Sequence, residues 1–443
     1  MARPARSMSV ALCVALALAT SALAPFASAQ QQMPQQTQQR TQQALTPSDE
    51  AADDFFGIPI AISGDTLVLG AAGGEAALAN QGSVRVFVRT GGVWTEQQTL
   101  TANDGAPGDG FGGAVAIQGN TIVVGASGAD VRDTVNGATV SRPDAGAVYV
   151  FVRQGGAWLQ VQKLLASDRA ANDLFGTSVA LQADTVIVGA MGDDNGRGAA
   201  YVFTRSGQVW TEQQKLVASD RMPPCPPPPA QPCDFPFFTF GRALTLAGDT
   251  VVIGSPRNGL GVATPPGAAY VFVRSNGVWT ERQRLVASDD GETNSFGNAF
   301  SLSGDTLAVA APGDHQERGA VYVFVRDTFG VWNEQQKVTA SDGLTGDLFG
   351  LAIALGGRTL LVGARGDNVG PDPNQGSAYV FELSDGVWIQ RQKLTASAGL
   401  AGDGLGFSVA LRANQLFLGT HLDTVAGQAF QGSVRVLSES PAQ

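Results

Sequence analysis

Histidine is almost absent from this sequence. The two present, His315 and His421, fall in equivalent loops of a repeated pattern, and neither has a neighbour spaced as a Ser-His-Asp or metal-ligand set requires. Cysteine is nearly as scarce: Cys13, Cys225 and Cys233 are the full set, so once residues 1–29 are removed one disulfide at most can form. Basic residues, 28 in number, are outnumbered by 39 acidic ones, which disfavours nucleic acid and anionic membrane as partners. No Asn-x-Ser/Thr sequon occurs, so N-glycosylation is not expected. The one extended apolar run, residues 10–24, is short and broken by Thr20 and Ser21, which argues against a membrane anchor and membrane insertion. The recurring apolar runs are too short for helices. They are four to eight residues long, rich in Val, Ile, Phe, Tyr and Trp, and bounded by Gly, Asn, Asp or Ser, as strands joined by turns are.

What is present begins with a leader. Residues 1–29 carry Arg3 and Arg6, then the apolar run, then Ala27-Ser28-Ala29 before Gln30, the pattern of a secretory signal with a small-residue cleavage site. Removing Arg3 and Arg6 with it takes the 28 basic residues to 26 against 39 acidic, a net of −13. Residues 30–40 form a Gln-rich linker, residues 41–438 a single repeat domain, and residues 439–443 a tail. The expected location is secreted or periplasmic, and the expected state a monomer.

Residues 168–216 contain one full unit of four strands. The second run, Thr-Val-Ile-Val-Gly-Ala from Thr185, and the third, Ala-Ala-Tyr-Val-Phe-Thr from Ala199, are apolar on both faces. The fourth, from Val209 to Leu216, mixes Trp210 with Glu212, Gln213 and Lys215, so it faces water at the outer edge of a sheet buried at its other edge. The Phe-Gly step opening the unit recurs at Phe56, Phe111, Phe175, Phe240, Phe296 and Phe349, with Leu405-Gly406 in the same frame. The fourth strand, marked by Trp94, Trp158, Trp210, Trp279, Trp332 and Trp388, occurs six times after a first strand. The missing copy lies at the N-terminal end, where Thr41-Gln42-Gln43 aligns with Glu96-Gln97-Gln98. An all-β, seven-bladed β-propeller of four-stranded antiparallel sheets follows, closed by the N-terminal strand pairing in the last blade.

The Phe-Gly steps and the Gly-Ala-Pro-like ends of the second strands, such as Gly70-Ala71, Gly125-Ala126 and Gly254-Ser255-Pro256, resemble the FG-GAP family. Its best-known member is the N-terminal β-propeller of integrin α-subunits, and the Ala-Ser-Asp linkers at Ala166 and Ala340 are similar to bacterial secreted versions. The resemblance implies a propeller with a binding or adhesive role. Integrin-type calcium loops of the form Asp-x-Asp-x-Asp-Gly are missing from the first hairpin, which reads Ser63-Gly64-Asp65-Thr66, so no family metal ligand carries over.

Candidate site residues come from departures and from one recurrent signal. The Pro-rich stretch 221–238 holds Cys225 and Cys233, which an oxidising compartment would join, and Phe235, Phe237 and Phe238, read as a binding knob or as side chains packed on the ring. The polar insertion 128–144 carries Asp130 and Asp133, as a site or a tolerated loop. Linkers pair Asp104 with Asp109, Asp168 with Asp173, Asp342 with Asp347, Asp49 with Asp54 and Asp289 with Asn294. Such side chains fix turns by bonding backbone N–H groups; the alternative is that Asp104, Asp109, Asp168, Asp173, Asp342 and Asp347 hold Ca2+. Arg365-Gly366-Asp367 imitates an adhesion tripeptide, but Met191-Gly192-Asp193 and Pro312-Gly313-Asp314 occupy the same place, so Gly-Asp belongs to the repeat.

The reading that follows is an exported, non-enzymatic propeller engaging a protein or glycan through the face that bears its long loops, with no cofactor. The alternatives are a hydrolase or lyase with carboxylates at the channel mouth and a purely structural envelope component. Processing and oxidation are directly testable: the exported chain should begin at Gln30 and titrate with no free thiol. An intact leader by mass spectrometry, or two reactive thiols, contradicts the reading.

Overall fold

A computed structural model describes residues 40–48, 55–73, 80–221, 237–258, 267–289, 295–397, 399–425, 427 and 429–439. The signal segment, Cys225, Cys233, Phe235, Asp49, Asp54 and Asn294 lie outside these residues. The fold is a ring of seven four-stranded antiparallel sheets. The first blade comprises Ile60–Ser63, Thr66–Ala71, Ser83–Thr90 and Val93–Leu100, and its strand order in space is its order along the chain. The first strands of successive blades touch one another around the whole ring, the seventh returning to the first. The last blade takes Leu405–Arg412, Gln415–Thr420 and Ser433–Glu439 from the C-terminal end and Arg40–Leu45 from the N-terminal end, with Gln42 opposite Leu437 and Leu45 opposite Val434. The closure read from the sequence is therefore present.

Burial follows the polarity of each strand. Every residue of Thr185–Ala190 is buried, and so are the first five of Ala199–Ser206. In Val209–Leu216, Trp210 and Leu216 are buried while Val209 and Thr211 are exposed, the alternation of an outer strand with one wet face. The inner edge differs from the expectation of full burial. All four residues of Ile60–Ser63, Leu244–Ala247 and Phe300–Ser303 are half-buried, because the innermost strand lines the middle of the ring.

The Phe-Gly step joins blades. Phe175 is fully buried, edge-on to Tyr201 at 5.5 Å and Phe203 at 5.9 Å in its own blade. Its backbone N–H donates to the Ala145 carbonyl of the preceding blade at 3.0 Å. The same inter-blade bond runs from Phe111 to Gln81 (2.9 Å), Phe349 to Arg318 (3.2 Å), Leu405 to Gln375 (2.9 Å) and, across the closure, Phe56 to Gln431 (3.0 Å). The glycine near the end of six of the seven second strands answers a steric demand of this seam, Ala310 standing in its place in the fifth blade. A Cβ on Gly125 would stand 2.1 Å from the carbonyl oxygen of Gly176 in the next blade.

A second seam runs around the rim. Gln98 donates its side-chain N–H to the Trp158 carbonyl at 2.9 Å and accepts the Trp158 backbone N–H at 2.8 Å, so its amide acts as one peptide of an extra strand. Gln43 with Trp94, Gln162 with Trp210, Gln214 with Trp279, Gln283 with Trp332 and Gln336 with Trp388 repeat the pair. Outer-edge groups that would otherwise pair with a foreign strand are thus occupied. Linker serines add a latch: Ser167 gives both its N–H (2.8 Å) and its hydroxyl (2.7 Å) to Glu212.

The two seams predict different losses in denaturant unfolding. Gly125→Val should destabilise by roughly 3 kcal/mol or more, since the clash is with backbone, whereas Gln98→Ala should cost about 1–2 kcal/mol. Equal losses would show that the inner contact is not the tighter one.

Candidate functional site

The connections after first and third strands are tight turns, such as Gly304-Asp305 and Asn276-Gly277, and those after second and fourth strands are longer. Alternation places the longer ones together on one face of the ring. On that face, between the third and fourth blades, lies a cavity of about 920 Å³ whose polar lining includes Asn172, Asp173, Asp193, Asn195, Lys215 and Arg242. Asn172 and Asp173 come from the linker between the second and third blades. Asp193 and Asn195 follow the strand Thr185–Ala190, Lys215 lies near the end of Val209–Leu216, and Arg242 follows the Phe-Gly step of the fourth blade.

One wall is an ionic cluster that the repeat builds more than once. Lys215 reaches Asp168 at 2.6 Å and Asp193 at 2.5 Å, and the Tyr201 hydroxyl donates to Asp168 at 2.7 Å and Asp193 at 3.0 Å. Burial alone would raise the Asp168 pKa, but the Lys215 and Tyr201 hydrogen bonds outweigh it and hold the carboxyl below its ordinary value. The Tyr201 hydroxyl is pushed the other way, by burial and then by those two acids. Lys337 likewise bridges Asp289 (2.5 Å) and Asp314 (2.8 Å), and Lys393 bridges Asp342 (2.7 Å) and Asp367 (2.6 Å). The first acid of two of the calcium candidate pairs, Asp168 and Asp342, is thus bound by an ammonium that it shares with Asp193 or Asp367. Asp104 is engaged by Lys163 at 2.8 Å. In three of the pairs the second acid does fix a turn: Asp109 accepts the Ala106 N–H at 2.8 Å, Asp347 accepts that of Leu344 at 2.6 Å, and Asp173 accepts that of Ala170. Among the described residues no group of three or more His, Cys, Asp and Glu is arranged to hold a metal ion.

Asp173 has no lysine of its own. It is 4% exposed, and burial, reinforced by the Asp193 and Asp168 carboxylates against the Ala170 N–H and Lys215, pushes its pKa up to about 6. Asp194 is held by Arg197 and Arg221, each at 2.8 Å, and sits with Asn195 in a left-handed turn, φ 52° and 60°. Arg242 is exposed to the cavity. The surrounding protein still strips enough water from its guanidinium to hold the pKa below the usual arginine range.

Two lining residues break the repeat, and the sequence reading missed both. The position of Arg242 holds Ile58, Gly113, Thr177, Asn298, Leu351 and Phe407 in the other blades, none charged. Asn172, at φ 65°, replaces Gly108, Gly346 and Gly402, at 84°, 89° and 87°. Aligning the repeats position by position, instead of by their framework residues, exposes both.

The residues singled out from sequence are dispersed. Residues 131–142 form a hairpin, Val131–Val135 with Ala138–Arg142. Asp133 is bound there by Arg169 and by Arg142 at 2.5 Å, which together hold its pKa down, and Asp130 accepts the Asp144 N–H at 3.1 Å. The backbone of Phe237–Phe238 pairs with Arg257–Asn258. His315 bonds its neighbour Asp314 at 2.8 Å in the fifth blade. His421, in the seventh, packs on Phe407 with ring centroids 3.9 Å apart, and burial pulls its pKa down to about 4. In Arg365-Gly366-Asp367 the aspartate is 5% exposed and held by Lys393, so it is not offered as an adhesion motif.

The raised pKa of Asp173 sets a sign. Its folded value lies above the unfolded 3.8, so the charged form opposes folding and stability is lost as pH rises from about 4 through about 6. Asp173→Asn keeps an acceptor for the Ala170 N–H and removes that charge. Urea unfolding should show the variant more stable by on the order of 2 kcal/mol at neutral pH and unchanged near pH 4; a gain that does not vary with pH refutes the assignment.

No curated protein matches the chain. The family model described as FG-GAP repeat matches residues 40–87, 94–151, 158–203, 279–324, 332–381 and 388–436. Each span runs from the outer strand of one blade through the third strand of the next, which is the unit that the closure requires. The stretch from Trp210 to Phe272, which holds the Pro-rich insertion and one wall of the cavity, lies outside the matched spans and still supplies the strands Leu244–Ala247, Thr250–Ser255 and Ala268–Ser275. With its Phe-Gly seams, its seven blades and matches over most of its length, the chain belongs to the FG-GAP repeat family.

Proposed function

We propose that this protein is an exported, non-enzymatic binding propeller of the bacterial secreted type, a monomer that engages a protein or glycan through the face bearing its long loops. The observation that carries the reading is the cavity between the third and fourth blades, which lies on that face and holds the two polar residues that depart from the repeat. A framework that repeats its buried residues so closely gains nothing in stability from Arg242 or Asn172, so a ligand is the reason to keep them. Among the described residues no helix is long and apolar enough to cross a membrane, in keeping with a leader cleaved near Ala29 and release from it. The Pro-rich segment flanks the same blades in sequence; in this reading an oxidising compartment joins Cys225 to Cys233, and Phe235, Phe237 and Phe238 are offered as a second contact.

Protein and glycan arrays probed with the mature chain test this. Retention of a ligand is expected, with loss in Ala171→Trp, which sets an indole into the cavity, and no change in Phe329→Ala, which alters a 91% exposed side chain in a turn of the opposite face. The reverse pattern places the site on the wrong face, and retention of nothing removes the binding reading.

A further inference from the structure

Among the described residues the charged groups around the cavity are in ion pairs except Asp173, which burial pushes toward its neutral form, and Arg242. Lys215 is shared by Asp168 and Asp193, and Asp194 is shared by Arg197 and Arg221. Arg242 has no carboxylate partner among the described residues, although surrounding protein has removed part of its hydration. A guanidinium in that state is unbalanced, and its planar fork fits an oxyanion with two parallel N–H···O bonds. The fold does not ask for it, since six other blades place an uncharged residue there and close the same seam.

The rest of the lining narrows the anion. Asn172 and Asn195 offer both donors and acceptors, while Asp173 and Asp194 offer oxygens that accept. A bare anion would meet these carboxylates only as repulsion, whereas hydroxyl groups on the same ligand donate to them. The amides take the hydroxyl oxygens and protons in either sense. Among the described residues no aromatic ring lines the cavity, and this part of the lining offers a flat apolar ligand nothing to stack on. The volume of about 920 Å³ suits several linked polar rings and falls within the roughly 300–1,000 Å³ of ordinary ligand pockets.

Resting on the binding reading above, we infer that the cavity between the third and fourth blades is a site for an acidic saccharide of the uronate class, its carboxylate on Arg242 and its hydroxyls on Asn172, Asn195 and Asp173. The anion is held by one guanidinium, so binding is salt-sensitive, and the hydroxyl contacts set which sugar is accepted.

The repeat itself supplies variants that keep the fold: Arg242→Asn installs the residue found at Asn298, and Asn172→Gly the residue found at Gly108. Titration calorimetry on the mature chain would use an oligogalacturonate, its methyl ester, the corresponding neutral oligosaccharide and a sugar phosphate. The acid should bind at least about tenfold more tightly than ester or neutral sugar. Arg242→Asn should lose that preference, and Asn172→Gly should weaken all of the sugars several-fold, with far-UV circular dichroism unchanged in both. Equal binding of acid and ester, an unaffected Arg242→Asn variant, no binding of the acid, or preference for the sugar phosphate would each overturn the inference. If arrays retain a neutral glycan or a protein and the two variants leave it bound, the acidic-saccharide site fails while the binding propeller stands; if arrays retain nothing, the binding reading itself has failed.

Discussion

At five seams a blade is held to its predecessor by the backbone hydrogen bond that Phe56, Phe111, Phe175, Phe349 or Leu405 gives across it, and the rest of the ring is arranged around the closeness of that contact. The bond from Phe175 to Ala145 requires the chain to turn sharply and pass against the end of the neighbouring second strand, with room for hydrogen and nothing larger at Gly125. The phenylalanine is then driven inward, where Tyr201 and Phe203 receive it edge-on. Sequence, backbone geometry and core packing are one constraint here. A Phe without the Gly could not make the seam, and a Gly without the Phe would leave a hole in the blade. Leu405, the single substitution for Phe, is buried and makes the same backbone bond to Gln375, so the seam tolerates a change of side chain before it tolerates a change of backbone.

Beyond this inner contact, the polar residues of the repeat act mainly between blades. The Gln–Trp amide pairs and the Ser–Glu latches tie neighbouring outer strands, and the lysine–aspartate–tyrosine clusters tie a linker to the blade that follows it. Individually exposed ion pairs contribute little. Repeated around a ring and partly enclosed, they hold the long connections in place on one face while the tight turns leave the other face plain. That asymmetry is why variation in loop length and in side-chain chemistry collects where the cavity is found.

The cavity shows how a repeat protein acquires specificity without disturbing its frame. Its ionic wall is common to several blades, and its distinguishing groups stand at positions where the frame is indifferent: beside the Phe-Gly step, where side chains range from Gly113 to Phe407, and at a left-handed turn that Gly108, Gly346 and Gly402 take in three other blades. Asn172 accepts the backbone conformation that Gly108 takes without strain and places an amide in return.

Much of the fold was legible in the residues. Periods of two, the spacing of Phe-Gly steps, and the fourth strand displaced to the N-terminal end dictate blade number, strand order and the register of Gln42 against Leu437, because a buried strand face and a shared closure leave no other alignment that buries the same side chains. The burial of the Arg-Gly-Asp aspartate was legible in kind, from the repetition of Gly-Asp. Partnership was not. That Lys215 would bridge Asp168 and Asp193, that Asp133 would be taken by Arg169 and Arg142, and that Arg242 would have no acid beside it among the described residues depends on which linkers meet across a seam. The sequence by itself determined the ring, since hydrophobic pattern and backbone sterics act locally and repeat. Only the tertiary structure decided which charges are neutralised and which one faces an open cavity, because electrostatic pairing is fixed by distances between residues far apart in the chain.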